Sequence, residues 1–147
     1  MAFENKAVRS VIEVLHDGEK GFQSLGEQLK DTTAKRFFIE ESTTRGRFAS
    51  ELETALGSAI SEKVDEGGTA SGTLHRAWGE LKGKMGGGDH TLLETAEQGE
   101  DTAKKAYEEV LKLNDVPPNV QTLLRKQQTH ILASHDKVKS LRDATAA

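Results

Sequence analysis

The stretch from Asp89 to Asn114 constrains the fold more than any other, because its apolar residues occupy a single narrow stripe. Leu92, Leu93, Ala96, Ala103, Tyr107 and Val110 recur at steps of three and four, the spacing of one buried face on a helix of 3.6 residues per turn. Glu100 falls on that same stripe, four residues after Ala96 and three before Ala103, with Gly99 beside it leaving room for another backbone. A carboxylate on a buried face needs a partner. The stripe therefore predicts both a packed helix and a polar contact inside it.

Three further segments carry the same signature. From about Glu4 to Lys30, Val8, Val11, Leu15, Gly18, Phe22, Leu25 and Leu29 form the seam of a bundle helix, with Glu19 on its flank. Asp31 is placed to cap a second helix expected over 32–64, where Phe38, Arg45, Ala49, Leu52, Leu56 and Ala59 mark the buried side and Glu41 lies one turn before Arg45. Asp89 is read as the cap of the helix over 90–114. Asn114 to Pro118 stops it and opens a last helix over 118–143, since proline cannot continue a helix but fits its first turn. That helix buries Val120, Leu124, Gln127, Ile131, Ser134, Val138 and Leu141.

Between the second and third long helices lies a segment bounded by Gly67-Gly68 and Gly86-Gly87-Gly88, with a short amphipathic helix expected over 73–85 on Leu74, Trp78, Leu81 and Met85. It is long enough to run the length of a bundle, which a tight hairpin would not require. The other two connections are short and join antiparallel neighbours. The reading is thus an all-α chain, a single domain over 1–147: a four-helix bundle of two antiparallel hairpins joined by a long crossover containing a short helix, which is the ferritin-like topology.

Recognition supports the pattern. Asp17-Gly18-Glu19-Lys20-Gly21-Phe22, Leu74-His75-Arg76-Ala77-Trp78, Glu97-Gln98-Gly99-Glu100-Asp101 and His135-Asp136 resemble segments of a bacterial family of ferritin-like four-helix proteins classed as a domain of unknown function. The resemblance spans nearly the whole chain and implies the fold; it supplies no activity to inherit.

Composition narrows the function. With 30% charged residues, 35% hydrophobic residues and a mean hydropathy of −0.60, the chain reads as a soluble helical protein. The absence of cysteine excludes disulfides and thiolate chemistry and suits a cytoplasmic setting, and neither a signal peptide nor a membrane span is evident. A net charge of −4 disfavours nucleic acid, and no membrane partner is expected. Self-association into a dimer or small homo-oligomer is expected, because long helices with few aromatic residues gain apolar burial that way.

Di-iron members of the ferritin-like class place a Glu from each of two helices and a Glu-x-x-His from each of the other two toward the bundle centre. Carried onto this chain, the candidate metal ligands are Glu19, Glu41, Glu97, Glu100, Gln127 and His130, a set suited to Fe, Mn or Zn. The set departs from the pattern twice: Thr44 stands where the second helix needs a His, and Gln127 where the last needs a Glu. Arg45 also brings a guanidinium that a metal site does not need. The competing reading is a metal-free polar network in which Arg45 bridges Glu41 and Glu19 or Glu100, with Glu100–Lys104 and Asp101–Lys105 as ordinary helix-surface pairs. Phosphate loops, nucleophile elbows and His-Glu-x-x-His are absent. The chain is therefore expected to be a non-catalytic interaction, structural or stress-related bundle, the alternatives being a metal-binding, iron-handling protein and a partner-binding module whose crossover helix lifts away.

Overall fold

The computed structural model describes residues 6–57 and 88–145. Four helices and no strand are found among them: α1 (Lys6–Gln28), α2 (Thr32–Leu56), α3 (Asp89–Leu111) and α4 (Pro118–Thr145). The short helix expected over 73–85, and the last turns expected for the second helix over 58–64, lie outside the described residues.

The predicted stripes are the buried ones. Val8, Val11, Leu15, Phe22, Leu25 and Leu29 of α1 join Phe38, Ala49, Leu52 and Leu56 of α2, Leu92, Leu93, Ala96, Ala103, Tyr107 and Val110 of α3, and Val120, Leu124, Ile131 and Val138 of α4 in one core. Helix α1 packs on α2 and on α3, and α4 packs on α3 and on α2; of these four seams, α2–α4 has the fewest close backbone approaches. The α1–α2 seam packs closely around an aromatic centre, with polar contacts such as Ser42 to the Glu19 carbonyl beside it. Phe22 and Phe38 meet edge to face, their ring centroids 5.0 Å apart, the arrangement the ring quadrupoles favour. Gly26 permits the close approach beside them, since a Cβ there would come within 2.8 Å of Ile39 Cδ1 and 3.2 Å of Phe38 Cβ.

Side chains finish the helix ends. Asp31 caps α2 as expected, its carboxylate accepting from the Ala34 amide at 2.8 Å. Lys35 donates from Nζ to the Gly26 and Glu27 carbonyls at 2.9 and 3.1 Å, satisfying the open end of α1. Within the described residues α2 runs to Leu56, where Gly57 takes the C-cap position with φ of 52°, a conformation that favours glycine.

Asp89 differs from expectation in a useful way. It is the first residue of α3 instead of its cap, Gly88 taking the cap position without a side-chain bond. Its carboxylate accepts instead from the backbone amides of Lys30 and Asp31, both at 2.9 Å, so the start of α3 is fastened to the α1–α2 turn. Elsewhere Asn119 donates to the Ala55 carbonyl at 3.5 Å, and His90 contacts Thr145 at 3.0 Å. Among the described residues no helix is long and apolar enough to cross a membrane.

Candidate functional site

Among the described residues the largest fully buried side chain is an arginine, Arg45 of α2. A guanidinium with no solvent contact must exchange its hydration for fixed partners. One comes from its own helix: Glu41, a turn earlier, accepts from Nε at 2.6 Å. Two come from elsewhere, as Nη2 donates to Glu100 of α3 at 2.5 Å and to the Ser134 hydroxyl of α4 at 3.0 Å. Ser134 in turn donates to the second oxygen of Glu100. Helix α1 contributes the floor: the guanidinium carbon lies 4.8 Å from the centroid of the Phe22 ring, a cation–π contact. A Cβ at Gly18 would sit 3.6 Å from Nη1, so the arginine lies flat against α1 at that glycine. Every helix thus touches one side chain.

The network reaches the surface at a single imidazole. His130 of α4 holds Nε2 3.0 Å from both oxygens of Glu41, and its side chain is 41% exposed while that of Glu41 is 3% exposed. The edge of Phe48 packs on the His130 ring with centroids 5.2 Å apart.

The two carboxylates respond oppositely to this setting. Burial alone would push the Glu41 carboxyl up, but the His130 hydrogen bond and the Arg45 charge outweigh it and hold Glu41 below its usual value of 4.5. For Glu100 burial wins over Arg45 and Ser134, and its carboxyl is held above the usual value. Burial likewise works against the charge of Arg45, but Glu100 and Glu41 overcome it and raise its pKa further, so it remains a cation. Two carboxylates therefore share one guanidinium, and the carboxylate with the additional imidazole is the more acidic.

A second polar chain runs alongside. Tyr107 Oη donates to Gln127 Oε1 at 2.8 Å, and Gln127 Nε2 donates to the Phe48 carbonyl at 3.2 Å and to Glu51 at 3.1 Å. Burial pushes the Tyr107 hydroxyl far above its usual range, which keeps it a neutral donor.

The six residues proposed as metal ligands do not assemble as a set. Glu41, Glu100 and His130 belong to the Arg45 network. Gln127 faces Tyr107 and Glu51 instead. Glu19 lies half-exposed in an open groove, close to Gly46 and 3.9 Å from His16, and is not the partner of Arg45. Glu97 pairs with Arg142 near the end of α4. Among the described residues no three His, Asp or Glu side chains converge as metal ligands. The Fe, Mn or Zn that the ferritin-like resemblance implies does not fit these donors, since both carboxylates already bind a guanidinium whose charge stands where the ion's would.

Sequence reasoning treated Ser134 as a core position and left it out of the candidate set. A small hydroxyl seven residues after Gln127, on an otherwise apolar stripe, was the available signal. The pair His135–Asp101, at 2.7 Å between α4 and α3, had none in the spacing, which paired Asp101 only with Lys105 on its own helix.

An all-helical assembly closed over a buried Arg–Glu network is the class of protein that this geometry defines. The chain belongs to the family described as a domain of unknown function, DUF2383, whose model matches residues 4–113. The match takes in Glu41, Arg45 and Glu100; Gln127, His130 and Ser134 lie beyond it. Comparison with curated proteins gives no match.

Proposed function

We propose that the chain is a ferritin-like bundle that has exchanged a metal centre for an internal ion network and acts as a non-catalytic interaction or structural protein. Support for the topology comes from the helix ends. Asp89 is bonded to the α1–α2 turn and Asn119 to the end of α2, so α2 and α3 start at the same end of the bundle. The chain between Gly57 and Gly88 then has the length of α2 to cross, roughly 37 Å at about 1.5 Å per helical residue, which joins two antiparallel hairpins.

The observation that carries the functional reading is the Arg45 guanidinium between Glu41 and Glu100. It is bonded to both buried carboxylates, so its charge offsets theirs inside the bundle. The test is the metal content of protein purified without chelator, followed by thermal melts with added Fe(II) or Zn(II). Sub-stoichiometric metal and an unchanged melting temperature are expected, because an ion that does not bind the native state cannot stabilise it. One metal per chain, with a rise in melting temperature that Glu100→Ala abolishes, would replace this reading with the metal-handling one.

A further inference from the structure

The seams of the bundle are not equally closed. Between α1 and α2 the backbones approach closely along the helices around an aromatic centre, with Phe22 on Phe38 and Gly26 under Ile39, and polar contacts such as Ser42 to the Glu19 carbonyl and His16 to Glu53 lie beside it. Between α2 and α4 close backbone approaches are fewest of the four seams, and a ladder of polar rungs spans the pair. Glu41 meets His130 at 3.0 Å, Arg45 meets Ser134 at 3.0 Å, Phe48 O accepts from Gln127 at 3.2 Å, and Ala55 O accepts from Asn119 at 3.5 Å. The Phe48–His130 ring contact lies among them.

Water can replace each of these rungs, whereas it cannot replace an apolar contact. Parting this seam also returns hydration to Arg45 and Glu41, whose burial opposes their charges, while Arg45 and Glu100 can stay paired. Parting α1 from α2 would break the Phe22–Phe38 contact and the packing at Gly26, which water cannot replace. We propose that the α2–α4 seam is a built-in opening of the bundle, through which α4 moves off α2 and admits solvent to the Arg45 network while α1 and α2 stay packed.

The chain has no cysteine, so a single introduced thiol reports on its own position. Ser134→Cys places one at a rung, and Ile131→Cys places one on α4 with every rung intact. Ala49→Cys serves as the reference, being on the α1-facing side of α2 with Ser42, which bonds the Glu19 carbonyl, and Gly46, which lies under Glu19. All three positions are buried. Each full-length variant is reacted with a chromogenic disulfide reagent in native buffer and in low urea, and its rate is referred to that variant's own unfolding free energy.

The α4 thiols are expected to react at least about tenfold faster than Ala49→Cys, with little urea dependence, as a sub-global opening requires. Adding His130→Ala should speed Ile131→Cys several-fold and leave Ala49→Cys unchanged. If Ser134→Cys does not fold, Ile131→Cys makes the comparison alone. Equal opening for both helices, with the urea dependence of global unfolding, overturns the proposal.

Discussion

Two faces of α2, barely a turn apart, solve burial in opposite ways. Toward α1 it presents mainly Phe38, Gly46 and Ala49, placed by fit, with Ser42 bonded to the Glu19 carbonyl among them. Toward the centre and α4 it presents Glu41 and Arg45, groups that need particular partners at particular distances. Apolar burial is non-directional and contributes about 25 cal/mol for each Å² removed from water, wherever the contact lies. An ion network gains little beyond the cost of desolvating its members, yet it penalises any other alignment of the helices. In this bundle the α1–α2 face holds the chain together and the Arg45 network specifies how the remaining helices line up.

The sharpest way to break that contrast is Arg45→Leu, which leaves two interior carboxylates without a cation. A loss of about 3–5 kcal/mol is expected in urea unfolding at neutral pH. Replacing Glu41, Arg45 and Glu100 together with apolar residues of similar volume should recover most of it; a triple variant as weak as the single would mean that the network stabilises in its own right. On the other face Gly26→Ala tests fit alone. Its methyl must push the end of Ile39 aside and crowd Phe38, for a loss of about 1–3 kcal/mol by the same measurement. A neutral result would show the α1–α2 seam to be looser than drawn.

The pH response sharpens the comparison further, because the two carboxylates have opposite signs. Glu100, held above 4.5, favours the folded state at low pH and loses that contribution as the pH rises from 4.5 through its folded value. Glu41, held below 4.5, stabilises above 4.5 and loses that contribution as the pH falls through its folded value. Glu100→Gln should therefore remove a decline in stability above pH 4.5, seen as a flatter profile than wild type in urea melts from pH 4 to 7. A decline that is unchanged in the variant would reassign it to other groups. The smallest effect belongs to the cap: Asp31→Ala should cost about 1 kcal/mol, read from the same melts at neutral pH.

What the sequence disclosed followed from spacing. The four stripes were visible because a single period sorts buried from exposed residues, and Glu41–Arg45 was visible because partners one turn apart share a face. Glu100 was identifiable as buried, but its partner was left open between Lys104 on its own helix and Arg45 across the bundle. Lys104 is four residues away and Arg45 is fifty-five, and only the packing of α3 near α2 selects the distant one. The same limit explains Glu19 and Glu97. Each sits near a stripe, and a rotation of a fraction of a turn moves it to the surface, where His16 and Arg142 meet it.

Asp89 has a consequence for the order in which the chain folds. Its carboxylate closes a loop of nearly sixty residues onto the Lys30 and Asp31 amides, whereas α1 and α2 meet across a turn of only a few. Closing the longer loop costs more chain entropy, so the α1–α2 pair can form early and the Asp89 contact late. A contact made after the rate-limiting step slows unfolding without speeding folding. Asp89 then acts as a latch on a bundle already assembled, and Asp89→Ala should shorten the lifetime of the native state while leaving its folding rate almost untouched.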